Sequence, residues 1–171
     1  MASRSDELLS DLGFVSYNAM ALALAPATIA QLALRHWRGE ETLASTWQRL
    51  GGCRVRRPKG PLIWFHALTV GECAVALPVV FRCLLEYNEN VRVLLTTGTP
   101  EAHALLAGSL PRRVVLQCAP FENAASVTLF LRSWRPQVAV FVESPSWPML
   151  VELAGRAGLR LALLNARMGS R

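Results

Sequence analysis

The stretch Leu62-Ile63-Trp64-Phe65-His66-Ala67-Leu68-Thr69-Val70-Gly71-Glu72 decides how this chain folds. Its first five residues lack the polar alternation of a half-exposed strand, so they read as a strand covered on both faces in a parallel sheet. Gly71 then allows a sharp turn, and Glu72 falls near the start of a helix. The same rhythm continues toward the C-terminus. Strands are expected at Leu62–His66, Val91–Thr96, Arg113–Cys118, Val138–Val142 and Arg160–Leu164. Helices are expected near Glu72–Glu86, Glu101–Gly108, Asn123–Trp134 and Trp147–Ala157. Thr99-Pro100-Glu101 supplies an N-cap followed by proline at the first helical position, and Gly158 a C-terminal stop. Five strands alternating with four helices give an α/β domain, a doubly wound, Rossmann-like parallel sheet over residues 61–171.

Toward the N-terminus the character changes. Phe14–Leu34 is a run of 21 residues without a formal charge, and about 20 apolar residues suffice to cross a bilayer. Asn18, Pro26 and Gln31 interrupt it, so a helix lying in the membrane interface competes with a spanning one, and a buried soluble helix with both. Seven Lys and Arg and two Glu lie between Arg35 and Lys59, which places five of the six net positive charges there. The expected division is an apolar membrane-associating helix over 1–38, a basic linker or helix over 39–60 and the α/β domain beyond. Gly51–Gly60 is the best linker candidate. A basic patch beside an apolar segment suits an anionic membrane surface. No nucleic-acid partner is expected, because aromatic residues do not interleave with the basic ones along a second strip. Asp6, Glu7 and Asp11 argue against an acid-poor transit peptide, and no secretory cleavage site stands out.

Inventory excludes several chemistries. The only aspartates are Asp6 and Asp11, so the α/β part can hold neither a Ser-His-Asp triad nor an Asp-rich magnesium cage. Cys53, Cys73, Cys83 and Cys118 show no C-x-x-C spacing and read as free thiols. No G-x-G-x-x-G follows the first strand, and no phosphate-loop signature occurs anywhere.

In an open α/β sheet, sites collect outside the carboxyl ends of the strands. That rule selects the loops Ala67–Glu72, Thr97–Pro100, Ala119–Glu122, Glu143–Pro148 and Asn165–Arg171. Glu72, kept ionised by a helix N-terminus, can accept a proton from an attacking hydroxyl, or it can simply stabilise its helix. His66 is more readily a satisfied strand-end histidine than a ligand. Glu143, ahead of Trp147-Pro148, can form a pocket wall, while Ser144 or Ser146 can equally cap the next helix. Arg167 can grip a phosphate or carboxylate with two parallel hydrogen bonds, or be a surface charge.

Taken in order, these loops resemble the N-terminal domain of the 3-deoxy-D-manno-octulosonic acid (Kdo) transferases. The family's Trp-x-His strand and Val-Gly-Glu turn match Trp64-Phe65-His66 and Val70-Gly71-Glu72. Its Leu-Thr-Thr-x-Thr loop matches Leu95-Thr96-Thr97-Gly98-Thr99. Its Arg-Trp-Arg-Pro approach to the fourth strand appears as Ser133-Trp134-Arg135-Pro136. Its acidic residue before Trp-Pro is Glu143, and its Asn-Ala-Arg-Met is Asn165-Ala166-Arg167-Met168. Departures fall at Pro145, where the family has a second acid, at Met149 in place of Asn, and at Gly169 in place of Ser.

The resemblance implies a GT-B fold and transfer of Kdo from CMP-Kdo to a lipid A precursor. It implies Glu72 as the catalytic base, and Glu143, Thr97, Thr99 and Arg167 as acceptor-binding residues. No metal or cofactor is implied beyond the donor CMP-Kdo. The implied setting is a membrane: the cytoplasmic face of the inner membrane in a bacterium, or a mitochondrial or plastid membrane in a eukaryote. The chain stops where the family continues into a C-terminal donor-binding domain, so by itself it is expected not to complete the reaction. The competing expectation is a non-catalytic, membrane-associated interaction module or inactive fragment of the same fold.

Overall fold

A computed structural model describes residues 34, 36, 37, 39, 42–87, 89–143 and 147–166. Leu62–His66 forms β1. It lies at the centre of a five-stranded, wholly parallel sheet, flanked by β2 (Arg92–Thr97) and β4 (Val138–Val142). β3 (Val114–Cys118) adds outside β2 and β5 (Arg160–Leu164) outside β4, giving the order β3-β2-β1-β4-β5. Phe65 stands level with Leu95 on one side and Val140 on the other.

Both faces of β1 are covered, which explains its missing polar alternation. Leu62 and Trp64 point to one face, against Val127, Phe130 and Trp134 of α4 (Ala124–Trp134) and Met149, Leu150 and Ala154 of α5 (Pro148–Arg156). Phe65 points to the other, against Cys73, Ala76, Val80 and Leu84 of α2 (Val70–Glu86) and Ala102 and Leu106 of α3 (Pro100–Leu106). The spacing of the four α2 residues puts them on one helical face, so burial rather than propensity holds that helix to the sheet. β5 departs from the expected double cover. Leu161 and Leu163 are 42% and 47% exposed, so β5 is paired with β4 but not covered on its faces as the inner strands are.

Local signals set the helix ends. Thr99 caps α3 by accepting the Ala102 N–H, and Pro100 follows at the first position, as expected. Asn123 caps α4, accepting from Ser126 N–H at 2.9 Å. Gly158 ends α5 with φ +77°, a conformation glycine adopts without strain.

Ahead of the sheet lies a short helix, α1 (Leu43–Arg49), started by a reciprocal capping box between Thr42 and Ser45. The Gly51–Gly60 stretch expected as a linker is docked on the domain instead. Gly51 is buried with φ +93°, and a Cβ there would lie 2.1 Å from the Ser126 carbonyl oxygen. Gln117 Nε2 donates to the Gly52 carbonyl at 3.2 Å, and Arg57 Nε to the Trp134 carbonyl at 2.6 Å. The expected membrane-associating helix falls almost wholly outside the described residues; Leu34, His36 and Trp37 are helical and exposed. Among the described residues, no helix is long and apolar enough to cross a membrane.

Candidate active site

Parallel strands bring all their carboxyl ends to one edge, so the described parts of the five loops selected from the sequence share one rim. The sheet order reverses between β1 and β4, and in such sheets the crevice opens at that point. Glu72 stands there, in the first turn of α2 behind its N-cap Thr69. Gly71 makes no turn: it lies inside the helix, and a Cβ there would meet only Thr69 Oγ1, at an ordinary contact distance of 3.9 Å. The reversal expected of Gly71 is made by Ala67–Thr69, and the bare glycine leaves the helix start uncovered beside Glu72.

The Glu72 carboxylate is half-buried and accepts one hydrogen bond, from Leu68 N–H to Oε2 at 2.8 Å. The Thr69-x-x-Glu72 spacing is that of a capping box, but the carboxylate reaches one residue further back. Its place in the first turn sets the carboxylate at the positive end of the helix dipole. Next to it, Cys73 is no nucleophile: burial, with a smaller contribution from the Glu72 charge, pushes its thiol up to about 11.

Neighbouring loops are stitched to this one. The Leu68 carbonyl accepts from Gly98 N–H at 3.0 Å and Thr99 N–H at 3.1 Å, and Ala119 N–H donates to the Thr97 carbonyl at 2.8 Å. Thr97 is fully buried, with its hydroxyl 3.2 Å from His103 Nδ1, so it supports the rim from below rather than facing an acceptor. The Thr99 hydroxyl is engaged as the α3 cap. His66 is buried at the end of β1, its Nδ1 2.9 Å from Thr96 Oγ1, which also accepts the Trp64 indole N–H at 2.9 Å. Burial lowers the His66 pKa to about 3, keeping the ring neutral, and its Nε2 has no partner. The rings of Trp64, Phe141 and Trp147 enclose it edge-on.

Glu143 follows β4 in the left-handed region at φ +64°, a conformation that costs a non-glycine residue about 1–3 kcal/mol. Its N–H donates to the Leu164 carbonyl at 2.8 Å, tying the ends of β4 and β5 together. Asn165, after β5, has φ +56°. Arg167 and residues 144–146 lie outside the described residues.

The residue that the sequence reading passed over is Glu122. Its Oε1 accepts the Met149 N–H at 2.6 Å and the Leu150 N–H at 3.1 Å, so it caps α5 from another loop, and Trp147 at the N-cap makes no side-chain bond. Its Oε2 is buried without a partner, and burial raises its pKa against the pull of those two N–H groups. The signal available in the sequence was negative: Trp147-Pro148 opens a helix with no capping side chain at the N-cap, so the cap had to come from elsewhere.

A groove of about 290 Å³ opens beside this rim between α1 and α3, with Gln48, Arg49, Arg54 and His103 in its wall. Glu72 is not in that wall; the Glu72 region is an open rim. Among the described residues, no three His, Cys, Asp or Glu side chains group as metal ligands.

The sequence pattern of the family described as 3-deoxy-D-manno-octulosonic-acid transferase (kdotransferase) matches residues 44–171. The chain belongs to the Kdo transferase family. The matched span takes in α1 and the whole sheet, so this is the family's N-terminal domain, of Rossmann-like α/β build. Among its Kdo transferase relatives is a probable mitochondrial 3-deoxy-D-manno-octulosonic acid transferase of Arabidopsis thaliana, 34% identical over 155 residues. That match covers 91% of this chain and 34% of the plant protein. The Rickettsia bellii 3-deoxy-D-manno-octulosonic acid transferase is 30% identical over 91% of this chain and 37% of its own length. The Bordetella pertussis one is 30% identical over 78% and 33%. The chain thus spans about a third of the length of the curated Kdo transferases it matches.

Proposed function

We propose that this domain forms the acceptor side of an enzyme that transfers Kdo from CMP-Kdo to a lipid A precursor, with Glu72 as general base. The observation that carries this is the placement of Glu72 at the carboxyl end of the central strand, its Oε2 held by the Leu68 N–H. In this reading the acceptor hydroxyl gives its proton to Glu72 as its oxygen bonds to the anomeric carbon of Kdo. The bond from that carbon to the CMP phosphate breaks, and CMP leaves with the electron pair. A positioned base of this kind contributes roughly 10²- to 10⁴-fold in rate. Glu143, on the same rim, and Arg167 are assigned to the acceptor, with Thr97 and Thr99 holding the rim in shape. A donor-binding domain facing the rim supplies the CMP-Kdo site.

The test is a graft in which residues 44–171 replace the matching segment of the Rickettsia bellii relative. Transfer of Kdo to a lipid A precursor is expected; a folded graft that consumes no CMP-Kdo contradicts the assignment. The Glu72 to Leu68 hydrogen bond favours a second reading, in which Glu72 only shapes the loop and the domain is a non-catalytic interaction module. In the graft, that reading predicts transfer that is indifferent to loss of the Glu72 charge.

The membrane setting is proposed from the uncharged Phe14–Leu34 run and the basic residues after it. The full chain is expected to co-sediment with vesicles containing anionic lipid, and a chain lacking residues 1–38 to stay in the supernatant. Equal sedimentation of both forms contradicts the proposal.

A further inference from the structure

Arg49 is the only charged residue among the buried ones described, at 8% exposure. Burying a guanidinium is costly unless hydrogen bonds compensate, so its contacts show what its burial achieves. Arg49 Nη2 donates to the Gly98 carbonyl at 2.9 Å. That carbonyl and the Thr99 N–H are the two ends of one peptide group. A cation drawing on the oxygen makes the N–H a stronger donor, and this N–H donates to the Leu68 carbonyl at 3.1 Å. Gly98 N–H donates to the same carbonyl at 3.0 Å. Leu68 in turn presents its own N–H to Glu72 Oε2 at 2.8 Å.

The contact between the two loops is close. A Cβ at Gly98 would lie 2.6 Å from Leu68 Cδ2 and 3.1 Å from Leu68 Cβ, so a side chain there would push the Leu68 side chain aside. Arg49 is itself fixed from two directions. Gln48 Oε1 accepts the Cys118 N–H at 2.8 Å, and the Arg49 carbonyl accepts the Phe121 N–H at 2.7 Å. Helix α1 is thereby seated on the carboxyl end of β3, and its last side chain reaches across to the β2 loop.

We propose that Arg49 is a positioning residue for Glu72, acting through the Gly98 carbonyl and the Leu68 backbone. This rests on the reading of Glu72 as base for its functional meaning, but the relay exists independently of turnover. It makes the seating of α1 a determinant of where the Glu72 carboxylate points.

Amide hydrogen exchange on the full 171-residue chain, read residue by residue by NMR, tests it. In Arg49→Met, the Leu68, Gly98 and Thr99 amides are expected to exchange about tenfold faster or more, while the β1 and β4 amides keep their protection. Arg49→Lys, whose ammonium can still reach the Gly98 carbonyl, is expected to restore most of the protection. Gly98→Ala breaks the relay at its middle with Arg49 intact and should give the same local pattern. Unchanged exchange at the three amides in Arg49→Met overturns the proposal. So does an equal acceleration at every amide that Lys does not rescue, since Arg49 would then be a general brace. No turnover enters this readout, so a failure here is separate from a failure of Glu72 as base, which only the activity of Glu72→Gln decides.

Discussion

His66, buried, and Glu122, half-buried, are ionisable residues on the same rim, and they bend the pH dependence of stability in opposite directions. Burial holds the folded His66 pKa near 3 against an ordinary 6.5. Between those values the unfolded chain binds a proton that the folded chain refuses. Stability therefore rises with pH across that window and is lost as pH falls through it, by up to about 1.4 kcal/mol per pH unit. Glu122 has a raised pKa, so the folded state binds the extra proton, and stability falls as pH rises from the ordinary carboxylate range through that raised value. His66 is the more completely buried, so its slope should prevail. The thermal midpoint of the wild-type domain is expected to climb between about pH 4 and 6. His66→Asn, which keeps a polar atom near the Nδ1 position, should flatten or invert that slope. Glu122→Gln keeps an oxygen for the Met149 and Leu150 N–H groups and should steepen it. An unchanged slope in His66→Asn contradicts this account. The sequence offered His66 as a satisfied strand-end residue, and half of that holds: Nδ1 is bonded to Thr96 and Nε2 is not. Glu122 was illegible because its partners lie 27 and 28 residues away, across a crossover that no local pattern encodes.

At the scale of elements, the strands and the four helices that alternate with them were legible because each carries a local cause. Double burial removes polar alternation from β1 to β4, and Thr99, Pro100 and Asn123 mark helix starts chemically. Glycines were less legible, since the residue permits several roles and only packing selects one. The sequence suggests a linker at Gly51, yet it lies against the α4 backbone at φ +93°. The sequence suggests a turn at Gly71, yet it is an ordinary helical residue with room for a Cβ. Alanine substitution separates the two in a urea titration. Gly51→Ala combines left-handed strain with a backbone clash and should cost more than about 2 kcal/mol, loosening α1 with it. Gly71→Ala should be neutral or stabilising by about 0.5–1 kcal/mol, as expected for glycine replaced inside a helix. Equal effects at the two positions contradict the packing described for Gly51.

For the whole molecule, topology does the work that no single motif can. A parallel sheet with a reversal between β1 and β4 gathers residues from positions 66 to 165 onto one rim, and loop-to-loop backbone bonds hold that rim in one shape. The Kdo transferase resemblance carried the chemistry further than spacing could, because Glu72 alone is equally a helix-start charge. The account therefore stands on one carboxylate. In the graft of residues 44–171 into the Rickettsia bellii relative, the most direct measurement is kcat for Kdo transfer with Glu72→Gln. Gln preserves the oxygen that accepts the Leu68 N–H and removes the base. Glu152→Gln serves as control, since Glu152 pairs with Arg156 at 2.7 Å on the α5 surface. The account predicts that Glu72→Gln lowers kcat by roughly 10²-fold or more with folding intact, while Glu152→Gln leaves it near the parent value. A folded Glu72→Gln graft that retains most of the parent kcat would contradict it.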